Sequence, residues 1–213
     1  MRIDPAGLPF IGGSLLLAVL TTLWGGWAYA TVFIVLALFF LFFFRDPHRD
    51  VTVRESAVLS PADGRVMVAG APTGQAFPPG QWQQISIFLS PMDVHVNRIP
   101  LGGRVTKVEY HPGRFLPAYK VEAGDLNEYT EVWIDHHGQT IVVRQIVGIL
   151  ARRIVCRTSV GAEVQAGDRY GVMKFGSRMD LFLPLDAKVL VKVGDKVSAA
   201  ITVLAELAHA QRG

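Results

Sequence analysis

Thr140-Ile141-Val142-Val143-Arg144-Gln145-Ile146-Val147-Gly148-Ile149-Leu150 is an apolar run of strand length, enriched in Val and Ile. Runs of the same kind recur at 65–68, 82–89, 103–109, 131–135, 153–157, 179–183 and 188–193. Turn signals such as Asp63-Gly64, His111-Pro112-Gly113 and Gly167-Asp168 separate them. The pattern predicts a mainly β soluble domain, a β-sandwich or a barrel-like fold, in which strand pairing outweighs helices. A short helical or irregular lid is expected from Pro117, ahead of Asn127-Glu128-Tyr129-Thr130, and a hairpin tip at 135–138.

One weak internal repeat is visible: residues 160–167 resemble residues 191–198, each a short strand, a glycine turn and a returning valine. Paired hammerhead-like turns of this type build small sandwiches that carry biotinyl or lipoyl groups. The modifiable lysine of such carriers is missing, since Lys174 is followed by Phe175 and no partner motif accompanies it. The repeat therefore argues for a sandwich and against a swinging-arm carrier.

Ahead of this β-rich part the composition changes. Residues 5–44 contain no Asp, Glu, Lys or Arg and hold seven of the twelve Phe. The first 50 residues carry six of the 39 charged side chains, so about 20% of the remaining 163 are charged, as in an ordinary soluble domain. The expected division is a membrane anchor with its juxtamembrane segment at 1–50 and a soluble domain at 51–213. The apolar stretch 10–44 exceeds the roughly 20 residues of one bilayer-spanning helix and breaks at Gly25-Gly26. A helical hairpin, one long tilted span and an interfacial pair of helices all fit. Only the hairpin returns the domain to the side of Met1, with Arg45 and Arg49 beside the cytoplasmic leaflet. A cleaved signal peptide fits poorly, because Asp4 offsets Arg2 and the apolar run is too long.

The net charge of +3 falls entirely after residue 50 and suits an anionic membrane surface, while no nucleic-acid-binding motif is present. The single cysteine, Cys156, excludes an internal disulfide and Cys-rich metal sites, and places the domain in a reducing compartment. His136-His137 is not read as a metal pair, because adjacent strand side chains face opposite ways. No metal is expected.

Chemistry concentrates in three strings: Lys174-Phe175-Gly176-Ser177-Arg178-Met179-Asp180-Leu181, Ser60-Pro61-Ala62-Asp63-Gly64, and Phe88-Leu89-Ser90-Pro91-Met92-Asp93-Val94-His95-Val96-Asn97-Arg98. Each puts polar groups at turn-rich strand ends, where catalytic residues often sit. With Phe43-Phe44-Arg45-Asp46-Pro47, His111-Pro112-Gly113-Arg114-Phe115, Arg144-Gln145-Ile146, Arg152-Arg153-Ile154 and Phe175-Gly176-Ser177-Arg178, they run in an order that resembles the short bacterial and archaeal form of phosphatidylserine decarboxylase. The resemblance covers nearly the whole chain.

That resemblance implies a self-processing, pyruvoyl-dependent lyase. The Ser177 hydroxyl would attack the Gly176 carbonyl, and β-elimination and loss of ammonia would leave a pyruvoyl group at residue 177. The products would be chains 1–176 and 177–213, the second of 37 residues and too short for a core of its own. The ketone would form a Schiff base with phosphatidylserine and yield phosphatidylethanolamine. His95 is the expected proton donor to the decarboxylated carbon. Longer family members carry a second His three residues after the first, where this chain has Arg98. The processing base is therefore open between His95 oriented by Asp63, His111, and Asp63 acting directly. Arg98, Arg114, Arg152, Arg153 and His111 are the candidate substrate contacts. The rival readings are a pyruvoyl decarboxylase of another serine lipid or soluble amino acid, and a non-enzymatic membrane-tethered β module. A homo-oligomer is left open.

Overall fold

The computed structural model describes residues 1–51, 55–149, 154–174 and 176–208. The chain divides into two units, Met1–His48 and Arg49–Gly213.

The first unit contains β1 (Arg2–Ile3), a 3-10 turn at Pro5–Gly7, α1 (Leu8–Trp24), α2 (Trp27–Phe43) and β2 (Arg45–Asp46). Asp4 caps the start, its carboxylate accepting the Ala6 N–H at 2.9 Å. Gly26, at φ 86°, breaks the helix in two, a backbone turn that a side chain would oppose. Phe10 then packs on Phe40, ring centroids 5.3 Å apart. β1 and β2 pair antiparallel with Arg2 opposite Asp46, closing the base of a helical hairpin, so one continuous long span is excluded. The helical segment Pro5–Trp24 has the length and composition to cross a membrane. Trp27–Phe43, at 17 residues, extends about 26 Å and falls short of an average hydrocarbon core.

The second unit is mainly β, as expected. Its elements are β3 (Ala57–Leu59), β4 (Gly64–Gly70), β5 (Gln83–Leu89), β6 (Val96–Arg98), β7 (Gly103–His111), α3 (Ala123–Leu126), β8 (Tyr129–His136) and β9 (Gln139–Ile146). There follow β10 (Ile154–Cys156), β11 (Glu163–Val164), β12 (Arg169–Met173), β13 (Ser177–Leu183), β14 (Lys188–Val189), β15 (Lys196–Val197) and β16 (Val203–Glu206). Eight strands pair in the order β11-β7-β8-β9-β13-β5-β4-β15, and two smaller sheets run β10-β12-β6 and β14-β16-β3. The eight-stranded order is open at β11 and β15, so its pairing closes no barrel.

Alternation sorts the side chains of the large sheet. Ile85, Ile87, Leu89, Val132, Ile134, Ile141, Val143, Met179, Leu181 and Leu183 enter one apolar core, which Ile99, Tyr170 and Met173 join from the side of β6 and β12 and Val58 and Leu204 from the third sheet. The opposite face carries buried ion pairs. Arg178 donates to Asp180 at 2.6 Å, and Arg144 to Glu131 at 2.6 Å. Central strands can carry these charges because each is matched inside the protein.

The internal repeat is present with a different register from the sequence expectation. The equivalent segments are Val164-Gln165-Ala166-Gly167-Asp168-Arg169-Tyr170 and Val191-Lys192-Val193-Gly194-Asp195-Lys196-Val197. In each, the Asp carboxylate accepts the backbone N–H three residues earlier, Gln165 at 2.8 Å and Lys192 at 3.0 Å. The Gly and Asp then bond a strand residue or its neighbour reciprocally: Gly167 and Asp168 with Ile99, Gly194 and Asp195 with Val66. The functional atoms of the repeat are thus the Gly-Asp pair; alignment on valines misplaces it by four residues.

At the β8–β9 tip, His137 and Gly138 have φ of 51° and 85°, a two-residue hairpin turn. His137 is in the turn and not in a strand, so the expected opposition of His136 and His137 does not hold. Their rings meet edge to face at 4.5 Å.

Candidate active site

Ser177 begins β13, a central strand paired with β5 on one side and β9 on the other, and lies opposite Leu89. It is completely buried, and among the described residues its Oγ has no hydrogen-bond partner. Buried hydroxyls are rarely left so. Gly176 precedes it in left-handed backbone, at φ 71°. Its carbonyl oxygen packs directly on Gly148, where a Cβ would overlap it.

Gly148 is held in turn. Asn127 donates from Nδ2 to the carbonyls of Val147 and Leu116, both at 2.8 Å, and accepts the Leu116 N–H at 2.8 Å. The 116–126 segment, which ends in α3, is thereby tied to the strand end beside the Gly176-Ser177 bond. The short helical segment expected after Pro117 is present, with bounds and a tether that the sequence alone does not display.

His95 lies between β5 and β6, just after a turn in which the Asp93 carboxylate accepts the Ser90 N–H at 2.8 Å. The ring is buried, with Nδ1 2.9 Å from the Asp93 carbonyl oxygen. A carbonyl only accepts, so Nδ1 donates to it, and the tautomer this selects has its lone pair on Nε2. Two links bring His95 to the Ser177 end of the sheet. Its loop starts at Leu89, opposite Ser177, and its carbonyl accepts the Met173 N–H at 3.2 Å.

Asp63 reaches the same end from β4, since Arg65 and Arg178 both stand opposite Phe88 of the intervening strand. Its carboxylate receives Arg49 at 2.7 Å and the Ala199 N–H at 2.7 Å. The expected bond from Asp63 to His95 is not among those of the described residues. Arg98 is buried and donates to the Gly167 carbonyl at 3.1 Å, as Arg65 donates to Gly194 in the other copy of the repeat. His111 stacks on Tyr129 at 4.4 Å on β7, three strands and about 14 Å from β13. Arg114 is exposed, on the loop that Asn127 tethers. Arg152 and Arg153 lie outside the described residues.

Glu109, His111 and Glu131 place ligand-type atoms within 4.8 Å of one another, a grouping absent from the sequence reading. Lys107 already pairs with Glu109 at 2.8 Å and Arg144 with Glu131. Burial raises the phenol of Tyr129 in the same row. Sequence reasoning passes over Gly148 as well. Its one signal is a glycine near the end of a Val- and Ile-rich strand, where another backbone often approaches closely.

The family model described as phosphatidylserine decarboxylase matches residues 36–205. A phosphatidylserine decarboxylase proenzyme of Symbiobacterium thermophilum is 44% identical over 202 residues, covering 94% of each chain. Proteins of the same description from Nitrosomonas europaea and Ralstonia pickettii are 43% identical over 201 residues and 42% identical over 202. The first covers 94% of this chain and 93% of its own, the second 94% of each. With that similarity along nearly its full length, the chain belongs to the phosphatidylserine decarboxylase family.

Proposed function

We propose that this chain is a proenzyme that cuts itself between Gly176 and Ser177 and then decarboxylates phosphatidylserine to phosphatidylethanolamine. The observation that carries the reading is the buried Ser177 Oγ, without a hydrogen bond among the described residues, directly after a carbonyl lodged against Gly148. A pyruvoyl group made from Ser177 fits this position, because the same buried strand end that holds the serine would hold the ketone.

In processing, Ser177 Oγ attacks the Gly176 carbonyl carbon, the peptide nitrogen leaves it, and an ester replaces the amide; loss of the residue-177 α-proton with departure of the Gly176 carboxylate then cuts the chain, and water displaces the nitrogen as ammonia to leave the ketone. His95 Nε2 takes the hydroxyl proton. A pyruvoyl group at residue 177, held at the buried start of β13, would supply the electron sink for the pair left when carbon dioxide departs. His95 then returns a proton to the substrate carbon. Asp63 acts on this site by fixing Arg49 and Ala199 at its edge. Ser177 is covered in the uncut chain, so separation of the 176 end opens the substrate's route. Arg114 is a contact for the lipid phosphate. The hairpin anchors the enzyme in the cell membrane with its catalytic domain cytoplasmic.

Purified chain given phosphatidylserine or free serine tests this reading. Carbon dioxide and phosphatidylethanolamine should form from the lipid, and Ser177→Ala should stay uncut and inactive. Release from free serine alone would contradict the lipid assignment.

A further inference from the structure

Met179 stands opposite Gln145, and Ser177 lies two residues before Met179 on the same face of β13. Gln145 and Ser177 are therefore diagonal neighbours, with backbones about 7–8 Å apart and within reach of a long side chain. Across the core, Gln145 Nε2 donates to Asn97 Oδ1 at 2.8 Å. Both residues are completely buried, and among the described residues Asn97 Nδ2 and Gln145 Oε1 have no hydrogen-bond partner. Turning both amides end for end leaves the same remainder, one donor and one acceptor. Such groups are costly to leave unmade in a core. Together with Ser177 Oγ, and with Thr130 directly opposite Gln145, they make a polar spot at this end of the core face.

We propose that Asn97 and Gln145 hold the amino-acid end of the serine headgroup, the spare donor on its carboxylate and the spare acceptor on an N–H of its amine. This deepens the reading of Ser177 given above and rests on it. A neutral amide suits a carboxylate that must leave as carbon dioxide. A guanidinium would stabilise the charged ground state more strongly and raise the barrier. Arg144 and Arg178 alternate to the other face, where Glu131 and Asp180 engage them.

The test uses the full chain in detergent micelles, as wild type, Gln145→Met and Asn97→Asp, both close in shape to the original. Three quantities are read: the fraction cut at 176/177, kcat/KM for phosphatidylserine, and borohydride-fixed adduct on the small chain with phosphatidylethanolamine. That lipid has the amine without the carboxylate. Condensation of its amine with the ketone releases water, and borohydride supplies the hydride that reduces the new carbon–nitrogen bond. Both variants should be cut; adduct yield should stay within about twofold of wild type in Asn97→Asp and should fall in Gln145→Met, which lacks the acceptor for the amine N–H. kcat/KM should fall about 10-fold in Gln145→Met, and further in Asn97→Asp, whose charge repels the substrate carboxylate. Equal losses with both lipids in Asn97→Asp would overturn the proposal, as would unchanged kinetics in either variant. Variants that stay uncut would also overturn it, assigning the amides to self-processing. A wild-type chain that stays uncut sinks the reading of Ser177 and the subsite with it.

Discussion

Gly148 and Gly176 are 28 residues apart, yet one side chain's worth of space at Gly148 sets where the Gly176 carbonyl sits. Gly148→Ala should therefore slow self-cleavage about 10-fold or more, read as uncut chain over time, because over-packing of about 1–3 kcal/mol is concentrated at the reacting carbonyl. Gly12→Ala, where an added Cβ meets nothing, should leave cleavage unchanged. Ser177, Gly176 and His95 were singled out as site residues in the sequence by the ordered strings that carry the family resemblance, not by any one turn. Gly148, Asn97 and Gln145 were not, since their partners are supplied by other strands and a single sequence does not display such contacts. Arg98 illustrates the converse. It stands at a catalytic-looking position, and its bond to Gly167 makes it the counterpart of Arg65.

At the scale of elements, the two Gly-Asp turns dock at different places, Asp168 on Ile99 just after β6 and Asp195 on Val66 of β4. Asp168→Ala and Asp195→Ala should each destabilise the protein by about 1 kcal/mol, as a lost cap does, and their effects should add. Thermal unfolding of the full chain in detergent measures both. Burial raises the thiol of Cys156 and, more strongly, the phenol of Tyr170. The unfolded chain releases these protons first. Stability is therefore full below the unfolded pKa values of about 8.5 and 10, and is lost as pH rises from them through the raised folded ones. Tyr170→Phe should flatten the loss above about pH 10 in pH-dependent melts. The mainly β class and an apolar segment broken at Gly25-Gly26 were legible from run length and composition, while the hairpin was one of three arrangements that these left open. The sheet order was not, because β13 pairs with β5 and β9, neither of which adjoins it in sequence.

Across the whole molecule, the segment after Ser177 is woven into the rest: β13 lies between β5 and β9, β15 pairs with β4, and β16 with β3. After cleavage the 37-residue piece should copurify with the larger one and separate only in denaturant. Conversion of Ser177 to a ketone is read from the denatured intact mass of the purified protein before and after a carbonyl reagent. Two species are expected, with the 177–213 fragment about 17 Da lighter than its serine-started form and able to form one adduct. A single intact chain that takes up no reagent, in a preparation that decarboxylates phosphatidylserine, would contradict it.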